Sequence, residues 1–167
     1  MTVFHGSYVQ VSCPEVKRGR VRVDFGQGFY LTRLREQASA WAQSVARRHR
    51  DGVAILNVFE FDVDRAKSMS GDRYKCFERY DLEWLDYVVD CRKGGTMQNL
   101  YDVVEGGVAN DNVIDTVELY ENGDITAEQA LGQLAYKKVN HQVAILSQQI
   151  VDVCLRYVNS EELADAR

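Results

Sequence analysis

The chain has 167 residues, a formal net charge of -5, 46% hydrophobic residues and one proline. This length and composition exclude a disordered chain and predict a single domain over residues 1–167 with its own hydrophobic core. The acidic balance disfavours non-specific binding to phosphate backbones or anionic lipids, so a nucleic-acid partner would need a local basic patch.

The cysteines and the N-terminus carry little functional signal. The four cysteines are far apart and form no paired C-x-x-C spacing, which predicts buried or idle thiols: Cys13, Cys76, Cys91 and Cys154. No basic region followed by an apolar one opens the chain, and no stretch is long enough to span a bilayer. We therefore expect a cytoplasmic protein with no membrane partner, although delivery to another cell without a cleavable signal would leave the same pattern.

The first thirty residues predict short strands joined by polar connections. Residues 3–5 predict a strand ended by Gly6-Ser7, and residues 21–23 predict another after a charged loop. Residues 24–32 combine two glycines with a β-prone aromatic run, which predicts a close-approach loop followed by a strand with Tyr30 opposite its neighbours. A glycine-punctuated strand is more often a bulge at a sheet corner than a binding site.

The next forty residues predict a helix, a strand and a loop. Thr32 is a candidate N-cap, and apolar residues then recur at helical spacing as far as Arg50. The basic residues 47–50 suit the negative end of the helix dipole and need no nucleic-acid explanation. Residues 53–61 predict a central strand, and residues 62–75 predict an irregular polar loop.

The second half of the chain predicts three helices, two strands and an apolar-striped segment before a polar tail. The helices cover residues 77–91, with Trp84 in the core, residues 113–120, capped by Asn110 or Asp111, and a segment from Thr126. Thr126 and Gln129 have capping-box spacing. Strands are predicted over residues 101–104 and 141–146, and the last strand places Gln142, Ala144 and Leu146 on one side.

Three separated motifs resemble the signature of ADP-ribosyltransferases of the diphtheria-toxin and poly(ADP-ribose) polymerase type. They are His5-Gly6-Ser7, the stretch from Gly26 to Thr32, and Gln142 on a late strand. Longer segments are similar to a bacterial family of short domains placed in this superfamily: Phe-His-Gly-Ser, Phe-Gly-Gln-Gly-Phe-Tyr-Leu-Thr, Gln-Ala-x-x-Trp-Ala and Asp-Val-Val-Glu-Gly-Gly-Val-Ala-Asn-Asp.

The resemblance implies an α+β fold whose core is an ADP-ribosyltransferase-like split, mixed or antiparallel β-sheet with flanking helices. It implies NAD as the substrate and no metal. The catalytic residues would be Tyr30, Gln142 and His5, and the residues that bind NAD would be His5, Gly6, Ser7, Gly28, Phe29, Tyr30 and Trp41. Trp41 follows Tyr30 by eleven positions and would sandwich the nicotinamide, but its place on the apolar helical face favours the core.

Gln142 stands where the best-understood members of the superfamily have an acid. A glutamine keeps the hydrogen bonds of a glutamate and loses its charge, which favours single transfer over chain growth. A non-catalytic module that binds NAD, ADP-ribose or a partner, and an NAD glycohydrolase, remain alternatives. Glu105 is a candidate substitute acid, although a solvated turn carboxylate is the commoner case.

The acceptor of the ADP-ribosyl group is not specified by any motif. The acidic net charge favours a protein acceptor over a nucleic acid, whereas Lys17, Arg18, Arg20 and Arg22 offer a local basic rim. The resemblance also covers toxins and effectors, for which a cognate inhibitor or antitoxin would be a further partner.

Overall fold

The computed structural model describes residues 1–50, 52–109, 113–135, 137 and 140–164. These residues form an α+β fold, as predicted. The strands are β1 (Thr2–Ser7), β2 (Phe29–Leu31), β3 (Ile55–Phe61), β4 (Tyr74–Cys76), β5 (Val103–Gly106), β6 (Gln142–Ile145) and β7 (Leu155–Glu162). The helices are α1 (Arg35–Ala46), α2 (Val63–Ser70), α3 (Leu82–Lys93), α4 (Ile114–Glu121), α5 (Ala127–Leu134) and α6 (Gln148–Cys154).

The strands form two sheets that meet at a single bridge. Sheet A is antiparallel with the order β1-β3-β7, and sheet B has the order β2-β6-β5-β4, in which only the β4–β5 pair is parallel. The bridge joins Phe4 of β1 to Thr32, just after β2, through N···O distances of 2.8 and 3.0 Å. The ends of β1 and β2 therefore lie side by side.

The two faces of sheet B are buried in different cores. Val143 and Ile145 of β6 contact a cluster shared with sheet A, α2 and α6, whereas Ala144 contacts a cluster shared with α3, α4 and α5. Side chains alternate between the faces of a strand, so the predicted alternation along β6 is confirmed. We refer to the two sides as the Val143 face and the Ala144 face.

Local sequence signals predicted several elements correctly. Thr126 and Gln129 form both hydrogen bonds of a capping box at the start of α5. Trp84 is fully buried, and Gly94 ends α3 in the left-handed conformation with φ of 79°. The described cysteines are all free thiols, with Cys91 and Cys154 buried.

Several predictions of local structure are wrong, and Leu34 rather than Thr32 is the N-cap residue of α1. Residues 21–23 form bends, and α1 ends at Ala46, before the basic residues 47–50. The predicted loop contains α2, because Asp62 accepts the Arg65 N–H as an N-cap and the helix buries Ala66. The polar tail contains β7, an edge strand whose outward side chains can be polar because they face solvent.

Two further observations bear on earlier expectations. The candidate caps Asn110 and Asp111 lie outside the described residues. Within the described part of the chain, every helix is too short or too polar to cross a lipid bilayer.

Candidate functional site

Tyr30 and Gln142 lie on the same face of sheet B. Tyr30 pairs with Ala144, which is two residues after Gln142 on β6, so all three side chains are on the Ala144 face. Both Tyr30 and Gln142 are partly exposed. The structure therefore places one predicted ring and one predicted amide on the same side of neighbouring strands.

The Tyr30 hydroxyl is held by the loop that precedes β2. It donates to the Gly26 carbonyl oxygen at 2.5 Å and accepts from the Phe25 N–H at 3.2 Å. Burial raises the pKa of the Tyr30 phenol well above its ordinary value. The hydroxyl thus anchors the loop and stays protonated.

His5 joins β1 to β2 through its ring. Its Nδ1 lies 2.8 Å from the Tyr30 carbonyl oxygen, and because a carbonyl can only accept, Nδ1 carries the proton. Burial lowers the pKa of the His5 imidazole, although the bond to Tyr30 opposes this effect. The neutral ring therefore keeps Nε2 as a hydrogen-bond acceptor.

The main chain of Gly6 lies on the edge of β1 that faces β2. The N–H and C=O of Phe4 both bond to Thr32. Because the bonding direction alternates along a strand, the N–H and C=O of Gly6 also point toward β2. If the register of the bridge continued, Gly6 would pair with Tyr30. The Tyr30 carbonyl instead accepts a hydrogen bond from His5 Nδ1. The pairing of β1 with β2 therefore stops at the bridge, and Gly6 itself is buried against α1, where a Cβ would lie 2.0 Å from the Ala38 carbonyl oxygen.

The remaining glycine, serine and phenylalanine predicted to bind NAD have structural contacts. The Phe29 ring is buried between His5 and Phe59, with ring centroids 4.5 and 5.5 Å away. Ser7 Oγ accepts the Val9 N–H at 3.3 Å in the turn after β1. A side chain at Gly28 would come within 2.6 Å of Leu146, so this glycine allows β2 to approach β6.

Trp41 is on the surface, so its predicted place in the core is wrong. Its side chain is 41% exposed on α1, whose buried face consists of Ala38, Ala42 and Ala46. The Arg20 guanidinium lies 5.3 Å from the centroid of the indole. The charge of Arg20 also opposes the rise in the pKa of the Tyr30 hydroxyl.

Asp24 is a carboxylate near Tyr30 that sequence reasoning missed. It accepts from the Ala109 N–H at 2.8 Å and pairs with Arg92 at 3.2 Å. Burial raises the pKa of this carboxyl, against the effects of the Ala109 N–H and the Arg92 charge. Asp24 also raises the pKa of Tyr30. Its position two residues before Gly26 is the one sequence signal that could have suggested it.

Glu105 is the hub of a second polar group, on the Val143 face. It is 8% exposed, so the prediction of a solvated turn carboxylate is wrong. One carboxylate oxygen accepts from Arg33 and from His141 Nε2, the latter at 2.9 Å, and the other accepts from the Tyr74 hydroxyl at 2.9 Å. Glu105 pairs with Val143 and therefore points away from the face of Tyr30 and Gln142.

The electrostatics of this hub favour an ionised carboxylate. Burial raises the pKa of Glu105, but the hydrogen bonds from His141 and Tyr74 and the charge of Arg33 outweigh it, so the net pKa is lowered. The main-chain N–H of Arg33 also donates to His141 Nδ1 at 3.3 Å. The hub therefore ties the ends of β2, β4, β5 and β6 together immediately beside Gln142. Sequence reasoning missed it because its members are far apart in the chain.

A surface cavity of about 750 Å³ lies at the other end of sheet B. It is lined by residues before β2 and β5 and after β6, including Gln27, Asp102 and Ser147. Gln142 begins β6 and Thr32 follows β2, so this cavity is remote from them. We therefore define the candidate site by the place where the pairing of β1 with β2 stops, beside His5 and Tyr30, rather than by the cavity.

Comparison with known proteins yields one match. The family model described as "Protein of unknown function (DUF3990)" matches residues 1–157. No curated protein matches the chain, and no solved structure matches it. Because the match covers nearly the whole sequence, including His5, Tyr30, Glu105 and Gln142, the chain belongs to the DUF3990 family.

Proposed function

We propose that the protein is an NAD-dependent mono-ADP-ribosyltransferase that modifies a macromolecular acceptor. One observation carries the proposal: His5 bonds the Tyr30 carbonyl where the pairing of β1 with β2 stops, and Gln142 lies on the same sheet face as Tyr30. A planar, amide-bearing ring that leaves a ribose fits these groups. The resemblance of the motifs to ADP-ribosyltransferases supports the same ligand.

The nicotinamide would be held by hydrogen bonds along its edge and by stacking on its face. The carboxamide has one acceptor and one donor group, which would pair with the N–H and C=O of Gly6. The face of Tyr30 would stack on the ring. His5 Nε2 would accept a hydrogen bond from a ribose hydroxyl. These contacts would fix the ring and the ribose in the geometry that bond cleavage needs.

The chemistry is a displacement at the ribose carbon bonded to nicotinamide. The glycosidic C–N bond breaks, its electron pair leaves with neutral nicotinamide, and positive charge develops on the ribose. A nucleophile of the acceptor forms the new bond and releases a proton. Gln142 would hold a ribose hydroxyl through its amide, without the negative charge that would stabilise the developing cation.

The neutral amide of Gln142 favours one alternative, a module that binds NAD or ADP-ribose without turnover. Glu105 does not replace the missing charge, because its side chain is on the Val143 face and is held by Arg33, His141 and Tyr74. NAD hydrolysis, in which water is the acceptor, is the remaining alternative.

The test measures nicotinamide release, free ADP-ribose and label attached to macromolecules after incubation with labelled NAD. Gln142→Ala should lower nicotinamide release by about 100-fold, because the ribose loses its positioning group. Gln149→Ala is the matched control, because Gln149 is exposed on α6. Tyr30→Ala should lower release similarly, whereas Tyr30→Phe keeps the ring and should retain most of it.

The outcomes separate the three functions. Label on macromolecules with Gln142-dependent release supports transfer, and free ADP-ribose without such label indicates hydrolysis. NAD binding without release, together with turnover gained in Gln142→Glu, indicates a binding module. If the protein neither binds NAD nor releases nicotinamide, and thermal melting shows that it is folded, the proposal is wrong.

A further inference from the structure

Two arginines from different segments share one exposed indole. The guanidinium carbons of Arg20, in the loop before β2, and Arg48, just after α1, lie 5.3 and 5.7 Å from the Trp41 ring centroid. Arg48 also donates to Ser44 Oγ at 3.3 Å. Stacking on an aromatic face holds a guanidinium in place while its N–H groups stay available. Trp41 therefore holds two exposed cations in a preorganised pair.

The same surface continues to a second exposed aromatic residue. His49, which follows Arg48, stacks on Tyr8 with ring centroids 3.6 Å apart and an interplanar angle of 16°. Tyr8 is 40% exposed and comes directly after the His5-Gly6-Ser7 motif. We call this group the arginine-aromatic surface; it consists of Tyr8, Arg20, Trp41, Arg48 and His49. It extends from the end of β1 across the end of α1.

The charge of this surface is opposite to that of the whole protein. The chain has a net charge of -5, yet Arg47, Arg48, His49 and Arg50 are consecutive and all exposed. Arg47 is the C-cap residue of α1, so the helix dipole favours a cation there, but the dipole does not account for the stacking of Arg48 on Trp41 or of His49 on Tyr8. A local basic patch on an acidic protein indicates a polyanionic partner.

Exposed aromatic rings beside the cations select among polyanions. An acidic protein segment offers carboxylates, but its chemistry does not supply a flat ring beside each charge to stack on Tyr8 and Trp41. Single-stranded nucleic acid offers phosphates for the arginines and unpaired bases for the aromatic rings, the combination typical of single-strand binding. A duplex keeps its bases stacked inside and would use only the charges.

We infer that the arginine-aromatic surface binds single-stranded nucleic acid. This departs from the expectation of a protein acceptor, which came from net charge alone. Because Tyr8 comes directly after the His5-Gly6-Ser7 motif of the candidate NAD site, a bound strand would reach the rim of that site. The bound strand would then be the acceptor, a conclusion that rests on the proposed function, whereas the binding itself does not.

The experiment measures binding in the absence of NAD, so that its failure is separate from failure of the proposed function. Fluorescein-labelled RNA and DNA strands of about 12 nucleotides are titrated with the full chain, and anisotropy is followed from about 50 to 200 mM salt. A duplex and a glutamate-rich peptide of similar length serve as competitors. We expect dissociation constants of roughly 1–100 µM for the single strands.

Variants then test the surface. Arg20→Gln/Arg48→Gln should weaken binding roughly 10-fold and reduce the salt slope by about 1.4, twice the value of about 0.7 per phosphate contact. The charge-matched control is Arg65→Gln/Arg156→Gln, since both residues are exposed outside the surface. Trp41→Ala and Tyr8→Ala should each weaken single-strand binding roughly 10-fold. Each should weaken duplex binding, measured by competition, by a smaller factor.

Each result either supports or overturns the inference. Single-strand binding that falls in the surface variants and persists in the control supports it. No binding by the folded wild-type protein, an equal loss in the control, or stronger competition by the glutamate-rich peptide than by unlabelled single strands would overturn it. Circular dichroism melting of every variant confirms that a loss of binding is not a loss of fold.

Discussion

Glu105→Gln should destabilise the protein, because it removes the charge from the buried hub at the end of sheet B. The carboxylate accepts bonds from Arg33, His141 and Tyr74. A glutamine of similar size offers one acceptor oxygen, and its amide N–H₂ group would face other donors.

The expected cost follows from these three contacts. A hydrogen bond to a charged group contributes about 1.5–3 kcal/mol, against about 1 kcal/mol for a neutral pair. The Arg33 side chain is 46% exposed and can be hydrated, which reduces its share. The hydrogen bonds from His141 and Tyr74 lose their charged acceptor, and the bond from Arg33 loses part of its contribution. The expected decrease in the free energy of unfolding is about 2–3 kcal/mol. This should lower the urea midpoint by roughly 1–2 M with an unchanged slope.

The effect should depend on pH with a definite sign. The folded pKa of Glu105 lies below its ordinary value of 4.5, so the unfolded state binds more protons in that range. The stability contributed by the carboxylate is fully present above about pH 5.5 and is lost as pH falls through the folded pKa. The difference between wild type and Glu105→Gln should therefore shrink on acidification.

The assay is urea unfolding of both proteins at neutral pH and at several acidic pH values. Glu83→Gln is the control, because Glu83 is 57% exposed in its pair with Lys75 and should cost less than about 0.5 kcal/mol. The reasoning is refuted if Glu105→Gln shifts the midpoint no more than the control does, or if its shift stays constant with pH.

Three further substitutions test packing and capping by urea unfolding. Trp84→Phe should cost about 2–3 kcal/mol, because it leaves a small void and removes the Nε1–H bond of 3.0 Å to the Gly107 carbonyl; a cost below about 1 kcal/mol would contradict this. Gly6→Ala should cost about 3 kcal/mol or prevent folding, because its Cβ would lie 2.0 Å from the Ala38 carbonyl oxygen; a variant as stable as wild type would show that β1 and α1 are not so close. Thr126→Ala should cost about 1 kcal/mol through the lost capping box, and Thr126→Ser should retain most of that stability; equal losses in both would argue against the cap.

Local sequence patterns were enough for features that depend on neighbouring residues. Capping-box spacing at Thr126, the left-handed stop at Gly94 and the alternation along β6 each involve a few consecutive residues, whose backbone preferences and side-chain periodicity are visible in the sequence. The same reasoning placed Tyr30 and Gln142 on strands and predicted on which side of its own strand each side chain lies. It could not show that they share a face of one sheet, because that depends on the β2–β6 register.

Only the tertiary structure decided which groups meet and which are left unpaired. Glu105 was expected to be a solvated turn carboxylate, but residues distant in the chain bury it and compensate its negative charge with hydrogen bonds. Trp41 carries the signal of a core residue, yet the small alanines of α1 pack against β1 and leave the indole outside with two arginines. The pairing of β1 with β2 stops after one bridge, at Phe4 and Thr32. Burial, charge satisfaction and strand pairing are long-range quantities, so a local pattern does not determine them.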